Sequence, residues 1–196
     1  MKLCVIVICL LATAACLIVS GSWGPGASAA DTGDTPAWKG KRAAERFAPL
    51  DWLVGEWQGY GKFPNRTTYI HKEYYYDVAG MFFIERTLDM FPPEEISTEY
   101  EIHQDFTAIY RDDSSGGFLA KGFYVEGFVW SSKVDVSEDG STIVIETVDM
   151  DNAPPGMRGR ISYTRESEDR FTGTFELAMP GAEYKLFEEL VMDRVK

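Results

Sequence analysis

From Gly55 to the C-terminus the chain is written in short segments that alternate apolar and polar residues, with turn signals between them and no long helical period. The segments are 55–63, 67–78, 81–90, 97–110, 118–130, 132–136, 142–149, 159–165, 171–177 and 184–194. Segment 118–130 reads as one long strand or two short ones, bent at Gly122 and Gly127. Between segments stand Pro64-Asn65, Ala79-Gly80, Glu138-Asp139-Gly140 and Met179-Pro180-Gly181, all turn-forming pairs or triplets. Nine or ten short strands joined by hairpin turns bury one face and leave two edges, which closure removes. The expected fold is therefore all-β: a closed or nearly closed antiparallel up-and-down β-barrel with a short N-terminal helix. A β-sandwich is the alternative architecture.

The strands do not begin at residue 1. Met1 and Lys2 precede an uncharged apolar run over 3–19, followed by small residues and Ala27-Ser28-Ala29-Ala30. A basic start, an apolar centre and a small-residue exit read as a secretory signal peptide over 1–30, cleaved after Ala29 or Ala30. An uncleaved anchor helix is the other reading, because the run approaches spanning length. Acylation at Cys16 is not expected, since Thr13-Ala14-Ala15 is a poor lipobox and the apolar run continues past it. Residues 31–40 are a linker by composition, and 41–47 a short helix that Pro49 ends. The remainder, 41–196, reads as a single barrel domain, secreted or periplasmic, with no stable membrane insertion after cleavage.

The three cysteines, Cys4, Cys9 and Cys16, all lie in this leader. The mature chain then has no disulfide, thiolate nucleophile or thiolate metal site, and must stabilise itself by core burial. The chain has 19 Lys and Arg against 31 Asp and Glu, a net charge of -12. Lys2 is the only charged residue before Asp31, so the mature form is one unit more acidic. That argues against nucleic acid and anionic membrane surfaces as partners, since both need a basic patch. Asn65-Arg66-Thr67 is an acceptor sequon for glycosylation.

Few motifs in the chain carry chemistry. There is no Gly-x-Ser-x-Gly elbow and no Gly-x-Gly-x-x-Gly after a strand, and Asp149-Met150-Asp151-Asn152 lacks a calcium loop's length and closing Glu. No catalytic set and no metal site is assigned. In 97–110, Tyr100, Ile102, Gln104, Phe106, Ala108 and Tyr110 share the more apolar face, which is expected to point inward, with His103, Asp105 and Thr107 outward. In 81–90, Phe82, Ile84, Arg86 and Leu88 share a face. If it is interior, Arg86 wants an anionic partner: Glu146, Glu176 or a ligand carboxylate. Otherwise it snorkels at the rim.

At Leu53-Val54-Gly55-Glu56-Trp57-Gln58-Gly59 the chain resembles calycin barrels, the lipocalins and nitrobindin-like proteins, which open with a short helix and a Gly-x-Trp on the first strand. Trp57-Gln58-Gly59-Tyr60-Gly61 with Pro64 is similar to the nitrobindin-like pattern. The length also resembles a broad bacterial family of uncharacterised secreted or cytosolic barrels, whose pattern Leu50, Leu53, Gly55, Trp57 and Arg194 occupy. The resemblance implies structural roles for Gly55, Trp57, Gly59 and Arg194, with Arg194 packed over Trp57 to close one barrel end. It also raises haem, which nitrobindin-like proteins ligate through a His late in the barrel. The two histidines here, His71 and His103, are both early, so haem is not expected and no other cofactor is implied.

Rings with wet hydroxyls suit a cavity for an amphipathic molecule, and equally a filled barrel. The first reading is a secreted non-catalytic barrel that binds a small apolar or amphipathic ligand through Arg86, Tyr100, Phe106, Tyr124 and Tyr163. A one-residue slip in strand parity reverses that choice. The alternatives are an enzyme acting on a small anionic substrate in the cavity, oriented by Arg86, and a filled barrel serving as an extracellular interaction module.

Overall fold

The computed structural model describes residues 43–93 and 99–196. The stretches read above as a signal peptide and a linker, with Cys16, lie outside the described residues. Ten strands follow one another: β1 (Gly55–Lys62), β2 (Thr67–Asp77), β3 (Phe82–Phe91), β4 (Glu101–Arg111), β5 (Phe118–Phe123), β6 (Val129–Val136), β7 (Thr142–Asp151), β8 (Arg158–Arg165), β9 (Arg170–Ala178) and β10 (Lys185–Arg194). Each pairs antiparallel with its sequence neighbour, and β10 returns to pair with β1, so the sheet is a closed barrel. Segment 118–130 is two strands, β5 and the start of β6, around a turn in which Gly127 has φ +84.

Before β1 the chain plugs one barrel end. A single helical turn, α1 (Ala43–Arg46), runs into a 3-10 turn over Ala48–Leu53. Pro49 does not end helical structure here; it sits in the first turn of the 3-10 segment, where no N–H is needed. Phe47, Leu50 and Leu53 are fully buried. The Phe47 ring lies 5.9 Å from Tyr76, 5.9 Å from Phe83 and 5.8 Å from Phe118. Neither short helical piece is stable alone. Its three apolar side chains hold it by filling the barrel mouth.

Trp57 and Arg194 are directly opposite one another across the β1–β10 seam. The guanidinium carbon of Arg194 stands 4.1 Å from the Trp57 ring centroid. Arg194 also donates to the carbonyls of Trp52 and Val54, each at 2.7 Å, and of Glu168 at 3.1 Å. The Trp57 indole N–H donates to the Leu53 carbonyl at 2.6 Å. Carbonyls at the end of a helical turn have no partner within it; here the seam supplies the donors. Gly59 lets the two strands approach, since a Cβ there would fall 1.9 Å from the Val191 carbonyl oxygen.

The inward faces correct the expected parity. In β3 the interior set is Phe83, Glu85, Thr87, Asp89 and Phe91, and in β4 it is His103, Asp105, Thr107 and Ile109. Tyr100 is 56% exposed and Ile102 53%, while Arg86 is exposed and Phe106 meets Phe123 on the outer wall. The more apolar face of β4 points out because the interior at that level is a polar network.

Trp57 is 0% exposed and joins plug, seam and core. Trp57→Ala is expected to cost about 3–5 kcal/mol, as deletion of a buried large aromatic does. Urea unfolding reads this directly, and an unchanged midpoint contradicts the assigned role.

Candidate functional site

Away from the plug the interior holds a cavity of about 270 Å³. At its floor is a buried ion pair. The Lys72 ammonium donates to Glu85 Oε1 at 2.6 Å and to Thr87 Oγ1 at 2.8 Å. The Tyr163 hydroxyl donates to the same Glu85 oxygen at 2.9 Å. Lys72 and Glu85 are each 5% exposed. Strand pairing sets this geometry: Lys72 of β2 faces Thr87 of β3, and Glu85 faces Tyr74 one step along. Burial alone lowers the Lys72 pKa, but the Glu85 carboxylate outweighs it with its neighbours, and the net shift is upward. Burial, then the Glu85 charge, pushes the Tyr163 and Tyr74 hydroxyls well above the usual tyrosine range.

Three more carboxyls face the same space from three strands: Asp89 of β3, Asp105 of β4 and Glu188 of β10. Glu188 shares the inward face of β10 with Leu190 and Met192, and the register shift between Leu186 and Glu188 falls just before it. Its carboxyl sits over Gly61, where a Cβ would fall 1.8 Å from Oε1. Glu188 Oε1 and Asp89 Oδ1 are buried with no hydrogen-bond donor among the described residues. Burial, reinforced by the Asp89 charge, raises Glu188 from 4.5 to about 7. Burial raises Asp105 from 3.8 to about 6, against the N–H that Val125 donates to it at 3.0 Å. Asp89 is raised as well, chiefly by burial.

The walls between floor and rim are aromatic. Trp130 lies 4.5 Å from Tyr124 and 5.7 Å from Phe175, and Phe175 meets Phe187 at 5.4 Å. At the rim the Arg66 guanidinium stacks 3.8 Å over Phe91 and donates to Glu101 at 2.7 Å. His103 is at the rim too, not on the outer face. Its Nε2 is 2.7 Å from Glu101 and its Nδ1 3.6 Å from Glu126. With both ring nitrogens facing carboxylates, His103 does not fit a haem-ligating role. Among the described residues no group of three or more His, Cys, Asp or Glu is placed to hold a metal ion.

Of the five residues expected to line the interior, Tyr124 and Tyr163 do so. Arg86 and Phe106 are on the outer wall, for the parity reason above, and Tyr100 is exposed just before β4. Glu146 and Glu176 are not partners of Arg86: Glu146 pairs with Lys133 at 3.2 Å and Glu176 with Arg160 at 2.8 Å. The residues that sequence reasoning missed are Lys72, Glu85, Asp89, Asp105 and Glu188. A signal existed for Lys72, which shares its strand face with Thr68, Ile70 and Tyr74. A comparable signal existed for Glu188, which shares its strand face with Leu190 and Met192.

No family model matches this chain, and no curated protein matches its sequence. Among solved structures, the chain is similar to Rv2717c from M. tuberculosis, with a TM-score of 0.56 and 15% identity, over 80% of this chain and 99% of that one. At that identity the likeness shows the fold alone. A protein of unknown function from the DUF3598 family of Nostoc punctiforme aligns with a TM-score of 0.26 and 8% identity, over 79% of this chain and 99% of that one. That value is too low to carry an argument.

Two outcomes are expected of the interior charges. Lys72→Met leaves Glu85 buried without its cation and is expected to cost about 3–5 kcal/mol, much of it recovered in Lys72→Met/Glu85→Leu. A double variant no more stable than the single in urea contradicts this. Because Glu188 and Asp105 hold their protons more tightly folded than unfolded, stability is greatest below about pH 4.5 for these groups and falls as pH rises toward 7. Urea midpoints at pH 5 and pH 7.5 check the sign, and Glu188→Gln is expected to flatten the slope above pH 6. Stability that rises over this range contradicts the assignment.

Proposed function

We propose that this chain is an exported, non-catalytic barrel that holds one small amphipathic molecule in its interior. The observation that carries the reading is the cavity of about 270 Å³, with an aromatic wall and a buried polar floor. Its volume lies just below the usual range for small-molecule pockets, so the ligand is small. Export rests on the leader-like 1–30 and on the absence of cysteine after Cys16. Kinship with calycin barrels is part of the proposal, supported by Arg194 stacked on Trp57 across the first and last strands.

A specific observation favours the catalytic alternative as a second reading. A cavity carboxyl with a pKa near 7, as at Glu188, is what a general acid or base needs at neutral pH. Its substrate is not an anion in this reading. Arg86, the group meant to orient one, is on the outer wall, and the cavity presents carboxyls. A filled interaction module has the cavity against it.

Native and denaturing mass spectrometry of the mature protein, purified from its own source, tests the main reading. A small molecule released on denaturation is the expected result, and its mass identifies the class. A native mass equal to the bare chain contradicts a tightly held ligand.

A further inference from the structure

We propose that the polar end of the cavity recognises a protonated amine, so that the ligand is a small cationic amphiphile with its apolar frame against the aromatic wall. This rests on the ligand-holding reading above and names the chemistry of what is held. The cavity has a surplus of hydrogen-bond acceptors and of negative charge. The one buried cation among its described residues, Lys72, is already committed to Glu85 and Thr87. That leaves Asp89, Asp105 and Glu188. Asp105 accepts one N–H, from Val125. Glu188 is 8% exposed, lines the cavity, and makes no hydrogen bond or ion pair with the described residues. Asp89 Oδ1 is likewise buried and unpartnered.

Buried acceptors without donors are costly, and a buried carboxylate without a cation more so. An ammonium group supplies three N–H donors and one positive charge, and answers both deficits together. A neutral ligand answers the first at most, and an anion worsens the second. The cations at the rim do not cancel the surplus, since Arg66 is bonded to Glu101 and His103 faces Glu101 and Glu126. A metal ion is the competing cation, but among the described residues the carboxyls do not converge closely enough to ligate one. The rings of Trp130, Tyr124 and Phe175 supply the apolar surface such a ligand needs, and ring faces that attract a cation. Gly61 makes the recognition possible by leaving room for the Glu188 carboxyl in the wall.

The test is calorimetric titration of the recombinant chain with three compounds that share a phenyl frame and differ in the head group. They are 2-phenylethylamine, 2-phenylethanol and 3-phenylpropanoate. The amine is expected to bind about tenfold or more tightly than the alcohol at pH 7, a difference of about 1.4 kcal/mol, with the carboxylate weakest. In Glu188→Gln the amine's advantage is expected to fall to a few-fold, while binding of 2-phenylethanol persists and shows that the variant is folded. Equal binding of amine and alcohol, or a preference for the carboxylate, overturns the inference and leaves the ligand-holding reading standing. So does an amine preference that Glu188→Gln does not reduce. If none of the three binds, the inference fails, and a bare native mass then removes the ligand-holding reading with it.

Discussion

Arg194 lying over Trp57 is the contact on which the rest of the structure depends. A ten-strand meander has two free edges until its last strand finds its first, and this pair stands directly across that seam. The guanidinium does three jobs at once. It stacks on the indole, satisfies the stranded carbonyls of Trp52 and Val54, and reaches the Glu168 carbonyl in the turn between β8 and β9. The planar fork of an arginine is suited to this, and a lysine would lose most of the geometry. Trp57 in turn packs edge-on against Phe171 at 4.8 Å, which carries the seam into the core.

Closing and plugging one end divides the interior by chemistry. Near the plug the barrel is filled with large apolar side chains, among them Phe47, Phe83, Phe171 and Ile109. Toward the other end the same strands turn polar groups inward, and the ion pair of Lys72 and Glu85 marks the change. Such a pair is weak support for stability, because desolvation offsets its attraction. The apolar half stabilises the fold, and the polar half is held in place by it. Buried acceptors at Asp89 and Glu188 that have no donor among the described residues are a local departure from good packing, and departures of that kind concentrate where a protein does its work.

An antiparallel barrel of nine or ten strands with a short helix before it was legible because strands and turns are written locally. Turn residues recur at regular spacing, and Trp57 follows a short helical stretch. The candidate site was largely illegible. Tyr124 and Tyr163 were found as rings on alternating strands, but the five charged residues of the interior were not. Tyr163 and Glu85 are far apart in the chain, and their bond exists only because β8 and β3 face each other across the barrel.

The sequence by itself determined that this chain forms short antiparallel strands that must close, since period-two patterning and turn chemistry act over a few residues. It also determined a strongly acidic, cysteine-free body after the leader-like stretch. Which face of β3 and β4 looks inward was decided only by the tertiary structure. Alternation has a period of two but no sign, and choosing the more apolar face as the inner one fails where the interior is a polar cavity. The bulge before Glu188 and the space left by Gly61 are settled in the same way, by how strands distant in the chain meet.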